Sequence, residues 1–450
     1  MTLEIKTSEV TPLTATFNVS EEQQEFNWQQ CWYPICFLQD LPQKRPYSFS
    51  LYDEPFVLFK NNEGQLICLT DRCPHRAAKL SDGQIIDGKI ECLYHGWQFG
   101  INGECLHIPQ LPSDAKIPSN ACVTSFKVVE RQGIIWMWRG ESEAAVEELI
   151  PTLDHVDKPG FLHTDKITDL PYEQSYFIEN VVDPAHVNIS HDGSQGNRNN
   201  AQPLEMEVIE SSVKGFRGKF RDIRKPNDAW RRLDFIAPNL VFFHFNIEQK
   251  GWNFGLALYS FPLGKNRCRV LTRSYRNFVT WEIKFKPRWL IHLKQSKILE
   301  EDLSLVVGQQ AAIQRLGKNL QDVYLPLKTS DTFVMEYRKW LDRFGSTLPF
   351  YQGYSTSKNV ELEQCDRHPV EIDRYLRHTQ LCSSCNQTYQ ATNSLRKTLI
   401  GFAIALASVA ILTDDSRLKI VTVSGSLIAI ALAALAQNLK TRFERAYTRH

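Results

Sequence analysis

Four residues between Cys73 and His95 have the types and spacing of a metal centre. They form two pairs, Cys73-x-His75 and Cys92-x-x-His95, separated by sixteen residues rich in Gly, Asp and Ser. Strand-like Gln84-Ile85-Ile86 and Lys89-Ile90 each follow a turn signal, Asp82-Gly83 and Asp87-Gly88, so the pairs should occupy two loop tips that face each other. Two thiolates and two imidazoles suit a [2Fe–2S] cluster in which one iron carries His in place of Cys, an exchange that removes negative charge and raises the reduction potential. Zinc is the rival, but its closed sites usually pair Cys with Cys and His with His, whereas each pair here mixes the two. Trp97 is expected to pack beneath the centre.

A second constellation is Asn180-x-x-Asp183-x-x-His186-x₄-His191, within Tyr176 to Gly193. A helix over Ile178 to Ile189 would place Glu179, Asp183 and His186 on one face, and Asp192-Gly193 would stop it before His191. Two imidazoles would then converge on one point. Two His and one carboxylate make the facial triad of non-haem Fe(II) oxygenases. Asp183 could supply the carboxylate. So could the helical stretch Ile291 to Gly317, where Asp302 shares a largely apolar face with Ile298, Leu299, Leu305 and Val306 and needs a partner for its charge. Glu301 and Glu300 are weaker candidates on the same stretch.

Near the end, Cys382-x-x-Cys385 reads as a redox dithiol or, joined by Cys365 and His368, as a Cys₃His zinc site. The tail then turns apolar twice, at Thr398 to Thr413 and Ile420 to Ala436, each run uncharged and just short of the ~20 residues that span a bilayer. Arg396 and Lys397 precede the pair, and Lys440, Arg442, Arg445 and Arg449 follow it. By the positive-inside rule both ends should be cytoplasmic.

The elements that must position these residues are legible in outline. Phe26 to about Gly140 alternates short apolar runs with turns such as Asn62-Glu63-Gly64 and Asn102-Gly103, as a small antiparallel β domain does. Gln202 to Phe278 holds longer strand-like runs, including Asp234 to Phe245 and Trp252 to Phe261. The expected boundaries are a polar tail over 1–25, the cluster domain over 26–145, a catalytic domain over 146–380, a C-x-x-C linker over 381–397, two membrane helices over 398–436 and a basic tail over 437–450. Lys and Arg (52) balance Asp and Glu (51) across 450 residues, which leaves no electrostatic footprint for nucleic acid. Eleven cysteines in a chain of this length do not suggest a disulfide framework, so a reducing compartment fits best. The first 25 residues read as neither a signal peptide nor an Arg-rich transit peptide.

From Trp28 onward, the order of these motifs, together with WYPICFLQDLP and DRYLRHTQLCSSC, closely resembles the pheophorbide a oxygenase subgroup of the Rieske non-haem iron oxygenases, which also holds protochlorophyllide-linked and inner-envelope translocon members. The loops lack the extra Cys of the Rieske proteins of cytochrome bc complexes. The resemblance implies an α+β fold: a Rieske domain, a helix-grip-like catalytic domain with an antiparallel sheet, and a C-terminal transmembrane helical hairpin. It implies a [2Fe–2S] cluster held by Cys73, His75, Cys92 and His95, and a mononuclear Fe(II) held by His186, His191 and Asp302. Asp183, with Asn180 beside it, would be a catalytic group outside the ligand set, bridging the cluster of one subunit to the iron of its neighbour in a homotrimer. Partners would be O₂, ferredoxin or a similar electron donor, and a hydrophobic substrate of chlorophyll type. The chain resembles a cyanobacterial member anchored in the thylakoid or plasma membrane with its catalytic part on the cytoplasmic side. The rival reading is a redox-sensing or scaffold protein that keeps the cluster but does not turn over. Its mark would be loss of an iron ligand, and all three candidates are present.

Overall fold

The computed structural model describes residues 26–224, 229–247, 250–358 and 373–447. Strand alternation decides the first part. In β2 (Tyr47–Leu51), Tyr47, Phe49 and Leu51 turn inward while Ser48 turns out, the period-2 pattern of a sheet with one wet face. Three small antiparallel sheets follow. One runs β1 (Trp32–Phe37), β11 (Ile134–Trp138), β10 (Val128–Arg131). The second runs β2, β3 (Glu54–Lys60), β4 (Leu66–Thr70), β9 (Ser125–Phe126). The third runs β5 (Gln84–Ile86), β6 (Lys89–Glu91), β7 (Gln98–Phe99), β8 (Cys105–His107). Val57, Phe59, Ile67, Leu69, Leu80, Ile90 and Phe99 form a separate apolar core that also takes in Cys73 and Cys92.

The second part is built on one seven-stranded antiparallel sheet. Its order is β12 (Leu162–Leu170), β18 (Arg267–Arg276), β17 (Trp252–Gly264), β16 (Leu240–Ile247), β15 (Arg231–Ile236), β14 (Gly215–Asp222), β13 (Leu204–Ser212). β12 is an edge strand, paired among the described residues with β18 alone. Two bidentate ion pairs hold that seam in register, Asp165 with Arg273 and Asp169 with Arg269, each directly cross-strand. Both arginines are buried, so each guanidinium is matched by a carboxylate rather than by water.

Helices close this sheet. α1 (Gln174–Val181) and the single turn α2 (Val187–Ser190) follow β12. The short α3 (Trp281–Phe285) leads to α4 (Arg288–Leu316), 29 residues ended by Gly317 at φ +59, a left-handed stop where glycine lacks the Cβ penalty. α5 (Thr332–Phe344) packs against β13 and β14, with Phe333 stacked on Phe216. The continuous helix expected over Ile178 to Ile189 does not form. Pro184 removes an N–H and disfavours helical geometry at Asp183, so the chain breaks between α1 and α2. Glu179 is thereby separated from Asp183 and His186, and is buried instead against Arg338, Tyr324 and Gln309.

A π-helical turn over Tyr375–Thr379 precedes two long antiparallel helices, α6 (Ser383–Leu412) and α7 (Ser416–Glu444). α6 begins at Ser383, so most of the stretch expected as a linker over 381–397 is helical. The turn between the two helices is capped by Asp415, whose carboxylate accepts from the N–H groups of Arg417 and Leu418. Small residues line their contact, among them Ala403, Ala410, Ala429 and Ala433, and the Ser426 hydroxyl donates to the Ala403 carbonyl at 3.0 Å. Cys365 and His368 lie outside the described residues.

Candidate functional site

The two cluster loops are built alike. In the first, the Cys73 N–H donates to the Ala78 carbonyl and the Ala77 N–H to the Cys73 carbonyl; in the second, Cys92 donates to Trp97 and Gly96 to Cys92. The fifth residue of each loop takes a left-handed backbone, Ala77 at φ +58 and Gly96 at φ +73. This shared turn brings the four candidate ligands together. Cys73 and Cys92 are buried and in no disulfide, and the His75 and His95 rings lie with centroids 4.4 Å apart. Trp97 stacks on His75 at 4.8 Å and 3°.

The donors fit a [2Fe–2S] centre. Burial, with Cys92 adding to it, pushes the Cys73 thiol up to about 11, so two thiolates side by side require a cation between them. The buried Nδ1 of His75 has no hydrogen-bond partner among the described residues, as suits an atom that would bind a metal.

The second site forms where the α1–α2 break meets α4. His186 caps α2, and His191 follows it, its carbonyl accepting from the N–H groups of Ser194, Gln195 and Gly196 in a tight turn. Gly193 in that turn sits at φ +76. Asp302 Oδ2 lies 3.1 Å from His191 Nε2 and 3.6 Å from His186 Nε2, so three donors from two segments more than a hundred residues apart face one point. His191 is 4% exposed and Asp302 6%, which leaves this carboxylate little water to satisfy it. Burial opposes both charges, yet their mutual contact wins: His191 is held above the usual histidine range, and Asp302 below the usual carboxylate range by His191 and His186. Among the described residues the His186 Nδ1 atom has no hydrogen-bond partner, and a carboxylate oxygen of Asp183 is 3.6 Å away. A facial triad with a dry wall fits this donor set.

α4 carries three consecutive buried carboxylates, and the helix turn aims each at different partners. Glu300 meets Arg374 and Arg377. Glu301 accepts from His191 Nδ1 at 2.9 Å and from the Ser194 hydroxyl at 2.6 Å, with Lys297 at 3.7 Å. Only Asp302 faces the two imidazoles' Nε2 atoms. Glu301, expected as a weaker ligand candidate, is the carboxylate that fixes the tautomer and tilt of His191. Sequence reasoning missed this role, and the adjacency of Glu301 to Asp302 was the available signal. Asp183 is half-buried, and its Oδ1 accepts from the Ala185 N–H at 2.7 Å. Asn180 is half-buried in the last turn of α1. Cys382 and Cys385 are buried at the start of α6, away from both groups.

Residues 31–127 match the Rieske [2Fe-2S] domain family, and residues 235–319 match the pheophorbide a oxygenase family. The chain is 35% identical to the protein TIC 55 of pea (Pisum sativum), over 95% of its length and 83% of the relative's. It is 30% identical to pheophorbide a oxygenase of Arabidopsis thaliana, over 92% of its length and 82% of that enzyme's. Among solved structures, dicamba monooxygenase bound to dicamba superposes with a TM-score of 0.59 at 22% identity, covering 70% of this chain and 97% of the other, a likeness of fold. Its relatives and the two metal-ready sites together make this chain a member of the Rieske non-haem iron oxygenases of the pheophorbide a oxygenase group, an oxidoreductase that works with a [2Fe–2S] cluster and a mononuclear non-haem iron.

Proposed function

We propose that this enzyme oxygenates a hydrophobic tetrapyrrole of chlorophyll type, drawing electrons from ferredoxin or a similar carrier. Cys73, His75, Cys92 and His95 would hold the cluster, and His186, His191 and Asp302 the mononuclear iron. The cluster supplies single electrons and the iron supplies O₂ reduction when they are bound. The chain's own residues prepare that chemistry. Glu301 accepts a hydrogen bond from His191 Nδ1, which leaves Nε2, on the side of Asp302, as the atom that would bind the iron. Burial of His191 and Asp302 excludes bulk water from one side of the triad. The observation that carries the reading is this triad, complete in a chain that also has the mixed Cys/His loops. A protein that only sensed redox state would not need it.

Further assignments rest on the same reading. Leu93 and Tyr94, 65% and 61% exposed beside His95, give the cluster loop an apolar outward tip suited to another protein surface. In the proposed homotrimer that tip meets a neighbouring subunit, and Asp183, with Asn180 behind it, bridges the two metal groups. Ile404, Ile411, Leu412, Val421, Leu427 and Leu435 face outward from α6 and α7, an apolar band that favours a bilayer over a solvated hairpin. Basic residues at both ends of the hairpin favour a cytoplasmic catalytic part on a thylakoid or plasma membrane. The partition into a cluster domain over 26–145 and a catalytic domain over 146–380 is part of the proposal.

The test is O₂ uptake by the purified full chain with a reductant and a panel of chlorophyllide, protochlorophyllide and pheophorbide, wild type against His186→Ala. Uptake with product formation on one pigment, abolished in the variant, supports the reading. Equal uptake by both, or none from a wild type with an intact cluster spectrum and a filled iron site, overturns it for these pigments.

A further inference from the structure

One buried cluster plays no part in the chemistry above. His292 on α4, His378 in the π-helical turn, and Cys382 and Cys385 at the start of α6 come from three elements, and all four are essentially inaccessible, at 0%, 2%, 0% and 0% exposure. One donor atom from each lies within 4.8 Å of all the others. We propose that these four residues form a closed tetrahedral zinc site that fastens the root of the C-terminal hairpin to the helix carrying Asp302.

The geometry is that of a metal tetrahedron. Zinc bonds of about 2.3 Å to sulfur and about 2.0–2.1 Å to nitrogen place neighbouring S and N donors roughly 3.5 Å apart. The Cys382 Sγ lies 3.4 Å from His292 Nδ1, the Cys385 Sγ 3.5 Å from the same Nδ1, and the Cys385 Sγ 3.3 Å from His378 Nε2. A thiol-to-imidazole hydrogen bond accounts for one sulfur at one lone pair. It does not account for two sulfurs converging on His292 Nδ1 while one of them also faces His378. A cation at the centre satisfies all four.

The surroundings fix the imidazoles in the metal-binding tautomer. His292 Nε2–H donates to the Asp165 carbonyl at 2.8 Å, and His378 Nδ1–H donates to the Ile167 carbonyl at 2.5 Å. Residues 165 and 167 alternate along β12, whose other side is the one paired to β18, so their carbonyls are those that an edge strand leaves open. Each ring spends its proton on the strand and turns a lone pair toward the sulfurs, the outer-shell arrangement that metal-binding histidines use. Arg288 Nη2 lies 3.0 Å from the Cys382 Sγ, a charge-assisted contact suited to a thiolate. Two thiolates balance Zn²⁺, and four protein donors leave no open position, so the site is structural. The tetrahedron is complete without Cys365 and His368.

The consequence lies in what the site joins. His292 and Asp302 share α4, ten residues apart, and α6 starts at the two cysteines. Holding one end of the hairpin to α4 and to the edge of β12 would keep the iron-bearing helix in place relative to the apolar helices.

The experiment is metal analysis of the full chain purified in detergent without chelators, with X-ray absorption at the zinc edge. The expected result is about one zinc per chain besides the iron, with two sulfur and two nitrogen neighbours at the distances of a Cys₂His₂ site. Cys385→Ser and His378→Ala should each lose the zinc while the cluster's visible and EPR spectra persist. Zinc well below stoichiometric in a wild type whose cluster spectrum is intact overturns the proposal, as does a Cys382–Cys385 disulfide or iron in this site. Zinc with only nitrogen and oxygen neighbours also overturns it, because that signature belongs to zinc at His186, His191 and Asp302. Should the variants fail to fold, the wild-type content and edge spectrum still decide.

Discussion

Replacing Glu301 by Gln isolates the positioning of His191 from its ligation. The side chain keeps its shape and one acceptor oxygen but loses the charge that receives the His191 Nδ1 proton at 2.9 Å and the Ser194 hydroxyl at 2.6 Å. Hydrogen bonds to charged groups are worth about 1.5–3 kcal/mol, and this one is inaccessible to water at both ends. Loss of such outer partners typically weakens metal affinity about 10–100-fold, the same scale reached from the hydrogen bond. Fe(II) binding to chain stripped of mononuclear iron, with the cluster retained, should therefore weaken about 10–100-fold in Glu301→Gln. The cluster's visible spectrum should not change. Asp302→Asn, which alters a proposed ligand, should cost more. An Fe(II) affinity within about threefold of wild type in Glu301→Gln would refute the assignment of that carboxylate to His191.

Three further outcomes are expected. Arg338→Met leaves Glu179 buried without its cation and should cost about 3–5 kcal/mol, whereas adding Glu179→Gln should recover much of the loss; additive urea midpoints would contradict the coupling. Burial alone would raise the pKa of Asp165, but the Arg273 fork and His163 hold it at about 2, below its unfolded value, so its contribution is full above about pH 4 and is lost as pH falls toward 2. The contribution is about 2 kcal/mol, and Asp165→Asn should flatten that part of the acid limb in a stability-versus-pH series. Gly96→Ala places a Cβ 2.9 Å from Pro109 Cγ at a φ of +73 and should lower cluster occupancy, read from visible absorbance per chain, while Ala77→Gly at the equivalent turn should preserve it.

How far these sites were legible depends on sequence separation. The cluster loops were readable because each pair of ligands is held by one local turn. Asp302 was readable because a charge on an apolar helical face demands a partner. Glu301 was not, since which of three consecutive carboxylates faces His191 depends on how α4 is rotated against a loop more than a hundred residues away. The break at Pro184 is written in the chain, because a proline there is incompatible with the continuous helical face through Glu179, Asp183 and His186 that periodicity alone suggests. The partners of Cys382 and Cys385 were hidden for a different reason. His378 lies four residues before Cys382, but His292 joins only once α4 packs along the edge of β12.

A mononuclear iron in addition to the cluster can be counted directly. Iron and acid-labile sulfide should be counted in the full chain, wild type against a His186→Ala/His191→Ala double variant. Wild type should hold one iron per chain beyond those of the cluster, lost in the variant while sulfide and cluster spectrum are kept. Equal iron in both proteins would refute a mononuclear site at these histidines.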